Sequence, residues 1–220
     1  MIRQHWQILA LIALVFLLWN TPVLVPLKIL IVFFHELSHG LAAVLSGGSI
    51  ESISISPQQG GLTITRGGSP FLITSAGYLG SLLMGAFVFL MAIKSRADRF
   101  VMAALGGAML LVAALYMREV FALGFALVAG LAMLASAKYL KPSLNDAALR
   151  VIGLTSMIYV PFDILSDTIL RSGLRSDAYN LAQQVGGPTI LWGAIWLAIS
   201  LTVVFYVLKH GLRDNTHIRF

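Results

Sequence analysis

The sequence predicts an all-α polytopic membrane protein of about seven transmembrane helices, with one short β-hairpin after the second span. Three observations lead there. The chain is 58% hydrophobic and only 11% charged, where soluble domains carry about 25% charged residues. Apolar runs long enough to cross a bilayer, about 20 residues each, recur between short polar breaks. One stretch alone, 47–68, alternates apolar and polar residues in the period of a strand.

The expected spans are 6–25, 27–46, 71–93, 100–117, 119–137, 148–170 and 189–208. Only Arg3 is a fixed positive charge ahead of the first. Trp19, Asn20 and two prolines follow it in place of a small-residue cleavage site, so it is expected to stay as a span. The Pro22-to-Pro26 region should break the helix between the first two spans. Met117-Arg118-Glu119 is a tight divider that makes the fourth and fifth an antiparallel pair. In the hairpin, Ile50 to Ser56 alternates, Pro57-Gln58-Gln59-Gly60-Gly61 supplies the turn, and Leu62 to Arg66 resumes the pattern. No polar block is long enough for a soluble domain, so residues 1–220 read as one membrane domain with its core at 27–177.

Charge and cysteine content narrow the partners. The net charge of +6 would suggest nucleic acid in a soluble protein. Here the basic residues flank apolar spans, so the expected partner is the lipid bilayer and not nucleic acid. There are no cysteines, which excludes a disulfide framework and thiolate metal ligands. On seven spans, Lys28, Lys94, Arg96, Arg99, Lys138, Lys141, Arg150, Lys209, Arg213 and Arg219 gather on one side. That places the hairpin outside and the C-terminus in the cytoplasm.

Within the second span lies His35-Glu36-Leu37-Ser38-His39. On a helix the two histidines share a face one turn apart, about 6 Å between their stems. That spacing suits two imidazoles on one Zn²⁺, with Glu36 as general base. Such groups in hydrocarbon are costly unless they serve a site. The segment therefore predicts an intramembrane zinc protease, and the hairpin directly follows its metal-binding helix. The hairpin is either a surface link or an edge strand that pairs with an unwound substrate.

A catalytic zinc takes three protein ligands and keeps one position open. Of the nine carboxylates, Asp98, Asp146, Asp177 and Asp214 fall in polar loops or the tail by this reading. Glu51 belongs to the hairpin and Glu119 to the tight turn. Asp163 and Asp167 remain as acids within or near the end of a span. Asp163, the deeper, is the expected third ligand, with Asp167 as the alternative or as a residue that orients a ligand histidine. His5, His210 and His217 lie at the chain ends and read as interfacial or tail residues.

These residues resemble the site-2 proteases, membrane-embedded zinc metallopeptidases, and their short M50B-like branch in particular. The resemblance rests on His35, Glu36, His39, Gly40 and Gly47-Gly48. It extends to Ser75-Ala76-Gly77-Tyr78-Leu79-Gly80, similar to the segment that packs on the metal helix, and to Phe162-Asp163-Ile164-Leu165-Ser166-Asp167. The Asn-x-x-Pro…Leu-Asp-Gly pattern of better-known members is represented here only by Pro161 and Asp163. The resemblance implies a cytoplasm-facing hairpin and site, against the charge count. It implies regulated intramembrane proteolysis of single-span membrane proteins, with Glu36 as base and zinc-bound water as nucleophile. The expected location is a bacterial cytoplasmic membrane. The competing readings are a non-catalytic membrane protein, or a metal transporter that binds its ion through the His and Asp residues.

Overall fold

The computed structural model describes residues 2–171 and 175–211, with side chains from Trp6 onward. Asp214 and His217, and the side chain of His5, lie outside the described residues. The helices are α1 (Ile2–Leu18), α2 (Val25–Leu45), α3 (Pro70–Lys94), α4 (Asp98–Tyr116), α5 (Val120–Tyr139), α6 (Pro142–Leu165), α7 (Asp177–Val185) and α8 (Thr189–Gly211). Strands β1 (Ser49–Ile55) and β2 (Gly61–Arg66) form an antiparallel pair between α2 and α3. Six helical segments are long and apolar enough to span a membrane, with a shorter apolar helix at Trp6–Leu18. The protein is an integral membrane protein of the expected class.

The break between the first two spans falls earlier than the prolines alone suggest. α1 ends at Leu18, a 3₁₀ turn covers Pro22–Leu24, and α2 starts at Val25 with Pro26 in its first turn. Proline is tolerated there because the first amides of a helix have no intrahelical partner. Met117-Arg118-Glu119 divides α4 from α5 as the sequence requires, and the two helices pack along their length.

The hairpin turn is closed by Ser56 N donating to Gly60 O at 2.8 Å, with Gln59 at φ 63°. β1 turns Ile53 and Ile55 into the core beside Phe33, Phe34 and Met109. The hairpin thus folds back against α2, with the end of β1 in the core and β2 largely exposed. A second apolar cluster joins α3, α6, α7 and α8 through Tyr78, Phe89, Leu154, Leu181 and Trp196.

Several charges expected in loops are part of the interior. Asp146 and Arg150 lie one turn apart on α6, both buried, with Arg150 Nε donating to Asp146 Oδ1 at 2.6 Å and Nη2 to Oδ2 at 2.9 Å. Lys28 is buried on α2, its ammonium 4.7 Å from the centre of the Trp19 ring. Asp98 opens α4 and is also buried. The Asp146–Arg150 pair and the ring-covered Lys28 tolerate burial because their partners replace part of the lost hydration.

α6 continues through Pro161 and ends in a π turn at Ser166–Leu170. Arg171 N donates to Ser166 O at 2.8 Å, five residues back. The wider turn keeps Asp163, Asp167 and Arg171 on one side, facing the cavity beside α2.

Candidate metal centre

α2 carries His35 and His39 as the spacing predicts, with ring centroids 4.7 Å apart. His39 Nδ1 lies 2.7 Å from the carbonyl oxygen of Ile73 on α3. A carbonyl only accepts, so Nδ1 carries the proton and Nε2 of the neutral ring offers a lone pair.

That lone pair points at Asp177, the first residue of α7. Asp177 Oδ2 lies 2.9 Å from His35 Nε2 and 3.2 Å from His39 Nε2. The Ser176 hydroxyl accepts from Tyr179 N at 3.2 Å and caps the helix that presents this carboxylate. Burial pushes the Asp177 carboxyl up, but the facing imidazoles of His39 and His35, when protonated, outweigh it and pull it well below the usual carboxylate range.

The geometry fits a bound cation better than a hydrogen-bonded triad. Asp177 Oδ2 is buried and has no aligned donor among the described residues, despite both short distances. The three donor atoms lie within 4.8 Å of one another. Ligand bonds of about 2.0–2.1 Å in a tetrahedron would set neighbouring donors roughly 3.3 Å apart. Two imidazoles and a carboxylate are also a donor set that zinc accepts.

The third position differs from the sequence reading, which favoured Asp163 with Asp167 as the alternative. Among the described residues the donor group is His35, His39 and Asp177. Asp163 Oδ1 stands 4.0 Å from Arg171 Nη2. Asp167 accepts from Arg171 Nη2 and from the Tyr78 hydroxyl, each at 2.5 Å. The cost of placing those acids in a span is met by a guanidinium and a phenol. Hydropathy could not find Asp177, because α7 is a short amphipathic helix outside the spans. The one local signal was Ser176-Asp177 as a helix start.

Glu36 is buried beside the pair and faces the same cavity, of about 520 Å³, which Asp163, Thr63 and Asp177 also line. Thr63 Oγ1, on β2, lies 2.8 Å from Glu36 Oε2 and 2.9 Å from the Glu36 carbonyl oxygen. Close packing holds the surroundings. A Cβ at Gly77 would come within 2.6 Å of Asp177 Oδ2, and one at Gly80 within 2.5 Å of the Ser38 side chain. The Ala76-to-Gly80 segment lies on α2 because its small residues allow that approach. Of the other histidines, His210 sits at the end of α8, where Nδ1 bonds Tyr206 O at 2.9 Å.

No curated protein and no solved structure matches the chain. A family description does: Peptidase M50B-like, over residues 8–207. That range takes in the histidine pair, Glu36, the glycine segment of α3 and Asp177, so the chain belongs to the Peptidase M50B-like family.

Proposed function

We propose that the protein is an intramembrane zinc metalloprotease that hydrolyses peptide bonds of single-span membrane proteins. The observation that carries this reading is the convergence of His35, His39 and Asp177 at one point, with Glu36 on the wall of the same cavity. Zinc held by these three residues would supply a Lewis acid and lower the pKa of a water in its open position towards 7. Glu36 is the general base, taking a proton from the attacking water and delivering one to the leaving amine. Thr63 fixes Oε2 of that carboxylate and leaves Oε1 for the proton. The Ile73 carbonyl orients the His39 imidazole.

The hairpin supports a protease in particular. β2 places Gly61, Leu62 and Thr63 on the cavity wall, and the described sheet has only two strands. Its outer edge offers backbone hydrogen bonds to a substrate segment that has lost its helical ones.

The test is zinc per chain and cleavage in detergent-purified protein loaded with zinc. Wild type and Glu36→Gln should hold about one zinc, and only wild type should cleave an unwound single-span substrate. His39→Ala and Asp177→Ala should lose the metal, while Asp163→Ala should keep it. Zinc retained by Asp177→Ala and lost by Asp163→Ala would overturn this ligand set. No zinc in loaded wild type would overturn the protease reading.

A further inference from the structure

The two histidines are held in different ways. His39 Nδ1 is tied to the Ile73 carbonyl. His35 Nδ1 has no hydrogen-bond partner among the described residues, and its ring is bounded by aromatic faces instead. Tyr78 and His35 make a T-shaped contact, with centroids 5.0 Å apart at 82°. Tyr78 is 1% exposed and is backed by Trp196 at 5.3 Å. Its hydroxyl donates to Asp167 Oδ2 at 2.5 Å, and Asp167 Oδ1 accepts from Arg171 Nη2 at 2.5 Å.

A metal-ligating imidazole usually has its second nitrogen bonded, which fixes the ring's rotation. Among the described residues His35 lacks that bond. We infer that Tyr78, anchored through its hydroxyl by Asp167 and Arg171, is the positioning residue that sets the His35 ring for metal binding. An edge-to-face contact holds a ring only if the partner ring is itself fixed. The phenol–carboxylate bond supplies that fixity, and Arg171 keeps the carboxylate in place. Asp167 thus acts on a ligand histidine, as the sequence allowed, but through Tyr78. The motif of α6 and the glycine segment of α3 meet in this one chain of contacts.

The inference rests on the metal reading of the site, and the experiment separates the two. Full-length wild type, Tyr78→Phe and Asp167→Asn are purified in detergent and loaded with Co²⁺. Metal affinity is read by competition with a chromogenic chelator, ligand geometry by the visible cobalt bands, and folding by the thermal midpoint of the metal-free proteins. Both variants should bind metal roughly ten- to a hundredfold more weakly, with altered bands. The double variant should be no worse than the poorer single, since both break the same link. Should either single variant fail to fold, the other reads out the same hydrogen bond. Wild-type affinity and bands in the variants, with only a lower metal-free midpoint, would make Tyr78 a packing residue and overturn the inference. Wild type that binds no cobalt would overturn the metal reading itself.

Discussion

Thr63 has one hydroxyl proton and two oxygens of Glu36 within reach, the carboxylate at 2.8 Å and the carbonyl at 2.9 Å. It is thereby the contact that ties Glu36, the base of the proposed reaction, to the hairpin. Thr63→Val keeps the shape and removes the donor. Turnover should fall roughly tenfold, the scale of a lost hydrogen bond to a charged group, while zinc per chain stays at the wild-type value. A variant that loses zinc as well would make Thr63 part of the metal site's support. At this scale the sequence spoke only where chemistry was local. His35, Glu36 and His39 are legible because four residues make one helical turn. Asp177 was hidden because its partners lie on α2 and α3, and nothing in its own neighbourhood announces a ligand. Asp163 and Asp167 were conspicuous for their depth, and the structure spends that depth on holding Arg171 and Tyr78.

The hairpin shows how an element reaches the site. Its alternation was readable at Ile50–Ser56 and Leu62–Arg66, and β1 and β2 form there with a bulge between Ile50 and Ser52. Its depth in the bundle was not readable, because Ile53 and Ile55 find their partners on α2 and α4. The position of β2 against Glu36 depends on Gly61, where a Cβ would fall 2.5 Å from Glu36 Cγ and Oε1. Gly61→Val should push the carboxylate from its place or the strand from the cavity wall. Cleavage should drop by at least tenfold, a displacement cost expected when reacting groups shift by about 1 Å, with zinc binding retained. Cleavage at the wild-type rate would mean that β2 and Glu36 move independently. The ends of α6 carry the same lesson. Pro161 lies inside α6, yet the helix runs on to Leu165 and widens only at Ser166, where the Tyr78 hydroxyl reaches Asp167 from outside the local sequence.

For the whole molecule, hydropathy located the spans, since crossing hydrocarbon demands length and apolarity wherever a helix sits, though the first helix stops at Leu18 where 25 was expected and α6 starts at Pro142 where 148 was expected. It could not separate α7 from its surroundings or see the buried Asp146–Arg150 pair, which depend on how helices pack. The three donor atoms bind these levels together. Two come from α2 near the start of the chain, and the third from α7, which lies between α6 and α8 and is followed by Gly186 and Gly187, both at positive φ. An ion gripped at this point would close a very long loop, as a disulfide does, although the chain has no cysteine. The bound ion would then be a removable cross-link that fastens the last third of the protein to the first. At a free zinc concentration a hundredfold above Kd it would add about 2.7 kcal/mol of stability. Chelation should therefore lower the thermal midpoint of wild type and leave Asp177→Ala unmoved. On that footing the same ion that arms the cavity also fastens its walls, and protein stripped of metal would be both inert and slack.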